Sequence, residues 1–370
     1  MRFRSDPRAH IRGSIAPVVT PFTEDGALDT HGLTSLIRWQ LDSGSHGISL
    51  GGSTGEPSAQ TTAERKRAMD TAAHLIADRV PFLPGTGSAK LDETLDLTAH
   101  AQQIGADAAL VITPYYARPT QEGLYQWYAA VAGNTPDLPV FIYNVPSRTA
   151  VDIAPDTVAR LRRTHPNIVG VKETTRDFEH FSRVLHAAGR DTIILSGIEL
   201  LCLPLLALGG NGFVSATANI APAATAKMYD HWTRGDQDTA RDLHYALHPL
   251  VDVTFTETNP APVKWVLRQA GLIGSHHVRP PLAPLTAEGQ RRVARLLQDG
   301  AAALTAPIAS GVTPLSHDHA VPVANDPGEF THRGLRPLPR LLPLPADRQA
   351  GRPPAQRPAH QRTPLRLDPA

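Results

Sequence analysis

The chain has 370 residues, 41% hydrophobic and 19% charged, which is globular material for one large domain or two small ones. Formal net charge is +1, so nothing in the overall electrostatics favours nucleic acid or an anionic membrane as a partner. A single cysteine, Cys202, excludes an internal disulfide and a cysteine metal cluster, and fits a reducing compartment. Met1 to Arg12 is polar and lacks the apolar core of a secretory signal. No run approaches the ~18 apolar residues of a membrane span. A cytoplasmic location is the expectation.

From about Ile11 to Leu304, short apolar runs alternate with longer amphipathic stretches. The runs are Ile15–Val19, Gly47–Leu50, Phe82–Pro84, Ala108–Ile112, Val140–Tyr143, Ile168–Val171, Ile193–Leu195 and Gly212–Ser215, starting 19 to 35 residues apart. Between them lie helical patterns such as Thr62–Asp78 and Asp152–Thr164. Eight nearly continuous apolar strands separated by helices are what a parallel sheet buried on both faces requires. Closure into a (β/α)₈ TIM barrel is the simplest arrangement. An open doubly wound sheet, the rival, usually carries a glycine-rich turn after its first strand, whereas Thr20-Pro21-Phe22 follows here. Residues 11–220 are assigned to the α/β barrel and the helical patterns of 221–304 to a small C-terminal helical extension. Beyond this the pattern stops. Residues 306–370 hold 13 of the 34 prolines and eight arginines, with no lysine and Phe330 as the one aromatic. A stretch such as Leu335–Pro345 cannot sustain a helix, because proline removes a donor and clashes with the preceding turn. Residues 305–370 therefore read as a disordered Pro/Arg-rich tail, either a functionless extension or a docking segment for a proline-recognising module.

A barrel keeps its active site at the C-terminal ends of its strands, so the residues after each run carry the chemistry. The second run leads into Gly51-Gly52-Ser53-Thr54-Gly55-Glu56, whose amides and hydroxyls suit a small carboxylate or phosphate, or a plain turn with an N-cap. No Gly-Lys-Ser/Thr follows, which argues against a nucleotide loop. The fourth run leads into Thr113-Pro114-Tyr115-Tyr116, two of the seven tyrosines, placed for a central cavity, a neighbouring subunit or packing under a loop. The fifth ends in Tyr143 with Arg148 five residues on, a proton-transfer group and a bidentate carboxylate clamp, or a surface ion pair. The sixth leads into Lys172-Glu173-Thr174-Thr175. A lysine leaving a buried strand is costly unless paired or functional, and desolvation is how an amine becomes nucleophilic near neutral pH. Only Lys66, Lys90, Lys172, Lys227 and Lys264 offer an amine. A salt bridge is the structural alternative for Lys172; three polar strand exits suited to keto-acid chemistry on one barrel mouth favour the nucleophile. The seventh and eighth exits, Ser196-Gly197-Ile198-Glu199 and Ser215-Ala216-Thr217-Ala218-Asn219, leave room for a ligand. No HExxH occurs, and His317-Asp318-His319 sits in the tail, so no metal is expected.

The segments GGSTGE, TPYYARPTQEGLY, YNVPSRT, GVKETT, SGIE, SATANIAP and ETNPAPVKW, in order from about Gly13 to Leu304, closely resemble the dihydrodipicolinate synthase family of pyruvate-dependent lyases. The resemblance implies a (β/α)₈ barrel assembled as a homotetramer, a dimer of dimers, that condenses pyruvate with L-aspartate 4-semialdehyde. It uses no separate cofactor. Lys172 matches the imine-forming lysine, Tyr143 the proton-shuttling tyrosine, and Ser53 and Tyr116 its relay partners, with Tyr116 reaching in from an adjacent subunit. Thr54 matches the residue binding pyruvate's carboxylate, Arg148 the clamp on the aldehyde's carboxylate, and Gly197 and Val214 backbone positions around the lysine. Two departures stand out. One acidic residue, Glu199, follows Ser-Gly where the family often has two. Pro57, Ser58, Thr62 and Arg65 replace the polar and histidine pattern of the bacterial lysine-feedback site, which argues against such feedback. A sister lyase acting on a 2-keto-3-deoxy sugar acid or another 4-hydroxy-2-oxo acid is the alternative, as is a catalytically silent keto-acid-binding barrel. The latter predicts loss of Lys172 or Tyr143, and both are present.

Overall fold

Eight parallel strands form one sheet: β1 (Gly13–Pro17), β2 (Gly47–Leu50), β3 (Phe82–Pro84), β4 (Ala109–Ile112), β5 (Val140–Asn144), β6 (Ile168–Glu173), β7 (Ile193–Ser196) and β8 (Gly212–Val214). They come from a computed structural model that describes residues 7–305; the expected tail lies outside the described residues. The order β3-β2-β1-β8-β7-β6-β5-β4 is that of a barrel opened between β3 and β4. A parallel bridge between Gly85 and Leu110 joins those two edges, with the Thr86 N–H on the Leu110 carbonyl at 3.0 Å. The closure expected from eight buried runs is therefore observed.

Helices cover the outside. A single turn, α1 (Pro7–His10), precedes β1; α2 (Thr30–Asp42), α3 (Thr62–Ile76), α4 (Leu91–Gln103) and α5 (Gln121–Asn134) follow the first four strands. The short α6 (Pro146–Thr149) and α7 (Pro155–Thr164) follow β5, then α8 (Phe178–Ala188), α9 (Cys202–Ala207) and α10 (Pro222–Thr233) follow β6, β7 and β8. Next come α11 (Gln237–Ala246), α12 (His248–Thr254), α13 (Ala261–Gln269) and α14 (Ala287–Thr305). None is long and apolar enough to cross a membrane.

Local chemistry explains the boundaries. A capping box starts α3: the Thr61 hydroxyl accepts the Glu64 N–H while the Glu64 carboxylate accepts the Thr61 N–H. Asp177 caps α8 by accepting the Glu179 and His180 N–H groups. The helix expected from Asp152 starts instead at Pro155, whose fixed φ and missing N–H suit the first helical position. Strand β1 begins two residues before the apolar run, where the Gly13 N–H meets the Asn211 carbonyl. Val18 and Val19 lie beyond its ladder yet fully buried in the outer core. Apolar patterning reports burial, and the ladder follows hydrogen bonding.

Two cores result. The larger fills the space between sheet and helices; the smaller fills the barrel interior with Ile15, Leu83, Leu110, Phe141, Tyr143, Ile193, Leu195 and Val214. Buried Cys202 lies in the outer one, and burial pushes its thiol pKa well up.

Candidate active site

Lys172 lies inside β6, not just past it: the ladder continues to Glu173, pairing Tyr143 with Lys172 and Lys172 with Leu195. Its direction depends on an irregularity. Val140 pairs with Ile168, but the next residue, Phe141, pairs with Gly170, so Val169 is extra and the strand bulges. Ile168 and Val171 join the outer core, whereas Val169 packs on the inner one. After the bulge Lys172 falls on the barrel-interior side, with Nζ 4.0 Å from the centre of the Tyr143 ring. Glycine at 170 is required here, since a Cβ would stand 2.1 Å from the Ile193 carbonyl oxygen. Gly197 is required too: a Cβ would stand 2.8 Å from Lys172 Cε and 2.3 Å from Thr174 Cγ2.

The amine opens into a cavity of about 650 Å³ whose walls include Ser53, Thr54, Tyr143, Arg148, Gly197 and Val214. Seven of the eight expected site residues thus share one space. The Tyr143 phenol and the Ser53 hydroxyl are 3.3 Å apart, within reach of a shared proton. Arg148 sits on α6 with its side chain exposed, while Thr54 is 95% buried in the turn after β2. Tyr116 is the exception. It is 96% exposed with φ at +74°, and it lines no cavity of its own chain that contains Lys172.

Two further groups enter the site: Asn259, which strand-exit reasoning missed, and Glu199, which the seventh exit had offered without a role. Asn259, from the segment before α13, donates from Nδ2 to Thr54 Oγ1 at 2.9 Å. Glu199 forms part of the cavity wall, and its Oε1 accepts the Ala216 N–H at 2.7 Å. Burial raises the Glu199 pKa, and the charge of Lys172 partly offsets this. Behind the sheet, Glu173 is buried and accepts from Asn144 Nδ2 at 3.1 Å and from the Thr175 N–H at 2.7 Å. His180 Nε2 stands 3.3 Å from the same carboxylate, which raises the imidazole pKa. This cluster ties together the ends of β5 and β6, which present Tyr143 and Lys172.

A second cavity, of about 440 Å³, shares Ser53, Tyr143, Arg148 and Asn259 with the first. Pro57, Ser58, Thr62 and Arg65 contribute to its wall. Arg65 is buried, donates to the carbonyls of Gly85 (2.9 Å) and Gly87 (3.1 Å), and is lowered by desolvation to a pKa of about 10. Its guanidinium is thereby committed to the β3 exit. Tyr115, not Tyr116, lines this cavity. Among the described residues no group of three or more His, Cys, Asp or Glu side chains is placed to hold a metal ion.

A model of the dihydrodipicolinate synthetase family matches residues 10–300. A 4-hydroxy-tetrahydrodipicolinate synthase from Thermus thermophilus is 47% identical over 287 residues, which is 78% of this chain and 95% of the relative. One from Thermodesulfovibrio yellowstonii is 42% identical over 287 residues, 78% of this chain and 97% of the relative. A solved dihydrodipicolinate synthase from Acinetobacter baumannii, complexed with pyruvate, matches with a TM-score of 0.75 and 38% identity, over 78% of this chain and 99% of that one.

Proposed function

The chain belongs to the dihydrodipicolinate synthetase family, and from that premise we propose that it is a 4-hydroxy-tetrahydrodipicolinate synthase whose reaction runs through Lys172. Deprotonated Nζ attacks the keto carbon of pyruvate, and loss of water gives the imine. The Tyr143 phenol, backed by Ser53, carries the protons that the carbinolamine must gain and lose. Removal of a methyl proton gives an enamine, which attacks the aldehyde carbon of L-aspartate 4-semialdehyde. Attack by the adduct's amine on the imine carbon closes the ring and releases Lys172. Thr54 holds pyruvate's carboxylate and Arg148 the acceptor's. Gly197 and Val214 shape the wall beside the amine. No separate cofactor takes part, because the imine itself is the electron sink.

The observation that carries this reading is the convergence of one buried amine, a phenol 4.0 Å from it by its ring, and a hydroxyl 3.3 Å from that phenol, in a cavity shared with an arginine. Arg148 favours a short carboxylate-bearing aldehyde over a polyhydroxylated one. Borohydride reduction with pyruvate, followed by peptide mapping, is expected to add a pyruvyl mass at Lys172. Absence of that mass ends the lyase reading. Steady-state turnover with the semialdehyde and with 2-keto-3-deoxy sugar acids then separates the acceptors.

Assembly belongs to the same proposal. A tyrosine as exposed as Tyr116, held on a left-handed backbone, is suited to completing a neighbour's relay in a dimer of dimers. Sedimentation and an inactive Tyr116→Phe variant, rescued in mixed oligomers with Lys172→Ala, would bear this out.

A further inference from the structure

We infer that Asn259 is a positioning residue that aims the Thr54 hydroxyl hydrogen at the ligand, and so makes the turn after β2 a receptor for a 2-oxo carboxylate; this rests on the reading above that Thr54 holds pyruvate's carboxylate. Asn259 is 94% buried and borders both cavities. Its amide N–H donates to Thr54 Oγ1, and the Thr54 side chain makes no other hydrogen bond among the described residues. A hydroxyl whose lone pair is taken by an N–H has its own hydrogen free to give. With the amide turned over, the hydroxyl would donate to Asn259 and show only lone pairs to an incoming carboxylate. The orientation that binds an anion is the one with nitrogen toward Thr54.

A second observation points to a ligand. Asn259 Oδ1 is buried and without a partner among the described residues. A buried carbonyl in that state awaits a donor; pyruvate carries none, so the donor that reaches it through the cavities Asn259 borders is a water held beside the carboxylate or the ammonium group of the second substrate.

The pair is held from behind. Glu56 ends the Ser53–Gly55 turn with φ at +53°, a strained value for a side-chain-bearing residue. Its carboxylate pairs with fully buried Lys264 on α13 and accepts the Arg279 N–H at 3.0 Å. Lys264 in turn donates to the His277 carbonyl at 2.8 Å. The turn bearing Thr54 and the segment bearing Asn259 are thus clamped five residues beyond the amide, which prevents one from drifting relative to the other.

The test measures the pyruvate concentration that half-saturates borohydride trapping at Lys172, by intact mass, in folded variants confirmed by circular dichroism. Asn259→Ala is expected to raise it ~10-fold while the trapping rate at saturation stays within ~3-fold, a loss of binding without loss of chemistry. Asn259→Asp at pH 8 is expected to raise it ~100-fold, because the carboxylate captures the hydroxyl hydrogen and repels pyruvate; the effect should shrink toward pH 5 as the aspartic acid protonates. A merely structural role would move the denaturation midpoint of Asn259→Asp in step with its half-saturation, so both are read at pH 5 and pH 8, and the inference expects the loss of affinity to exceed any loss of stability. Combined with Thr54→Val, Asn259→Ala should add no more than ~2-fold, since both act through one hydrogen bond. An Asn259→Asp variant that matches wild type, or a defect that does not change with pH, overturns the inference alone. A wild type that gains no pyruvyl mass overturns the inference together with the reading beneath it.

Discussion

Replacing Tyr143 by phenylalanine removes one oxygen atom from the centre of the site and leaves the ring that packs in the barrel interior. The ring keeps its place 4.0 Å from Lys172 Nζ, so the cation–π attraction, about 0.5–2 kcal/mol, survives. What disappears is the phenolic proton and its contact with Ser53, which at 3.3 Å is long for a hydroxyl pair. The net stability at stake is therefore about 1 kcal/mol or less, and Tm should fall by no more than about 2–4 °C. The chemical step loses far more. Positioned acid–base groups contribute about 10²–10⁴-fold, so kcat should fall by roughly 10²–10³, equivalent to about 3–4 kcal/mol in the barrier. Pyruvate should still be trapped by borohydride, more slowly, because Lys172 is intact. Steady-state turnover and time-resolved trapping measure the two effects separately. A kcat within about threefold of wild type would remove Tyr143 from the proton path.

Lys264→Met strands the Glu56 carboxylate in a fully buried position and should cost about 3–5 kcal/mol in chemical denaturation; Glu56→Gln in the same chain should recover most of it. Asp107 gives a pH signature. Burial raises its carboxyl pKa to about 6, above the ordinary 3.8, so the stability it contributes is fully present below pH 3.8 and is lost as pH rises through 6. Asp107→Asn keeps an acceptor for the Phe82 N–H, and should match wild type near pH 4 but exceed it by about 1–2 kcal/mol at pH 7.5, after allowance for the solvent that reaches the group. Equal stability at both pH values would count against the assignment. Gly197→Ala forces a methyl against Lys172 Cε and Thr174 Cγ2, and should abolish pyruvate trapping while the far-ultraviolet circular dichroism stays that of the wild type.

Most of the barrel was legible because a strand buried on both faces needs an unbroken apolar run, and all eight runs became strands. Lys172, Tyr143 and Arg148 were legible for a related reason. Polar groups at the ends of such runs gather at the C-terminal rim of the barrel, although the side of the sheet each one faces was not legible: Glu173 lies behind it and Lys172 turns inward only because β6 bulges. Asn259 obeys no such rule. It comes from the turn between α12 and α13, 205 residues after Thr54, and meets it only through the fold. Glu199 was noticed as one acid where two are common, but its burial beside the amine depends on the turn leading into α9. Tyr116 faces out of its own chain, and nothing within one chain tests the relay role proposed for it.

The extra residue in β6 makes the direction of the amine a question of parity. Counting by twos from Ile168, which faces the helices, puts Lys172 on that same outer face, buried among apolar side chains with no substrate in reach. Val169 corrects the count by one, and each end of the strand then points where it is needed. Such a correction tolerates removal better than imitation. A β6 one residue shorter, without Val169, would alternate regularly and still turn Lys172 inward. A strand of the present length forced to pair without the bulge would keep every motif residue in order and present no nucleophile. For this chain, the pairing of the sixth strand is therefore as informative about the reach of the amine as the lysine itself.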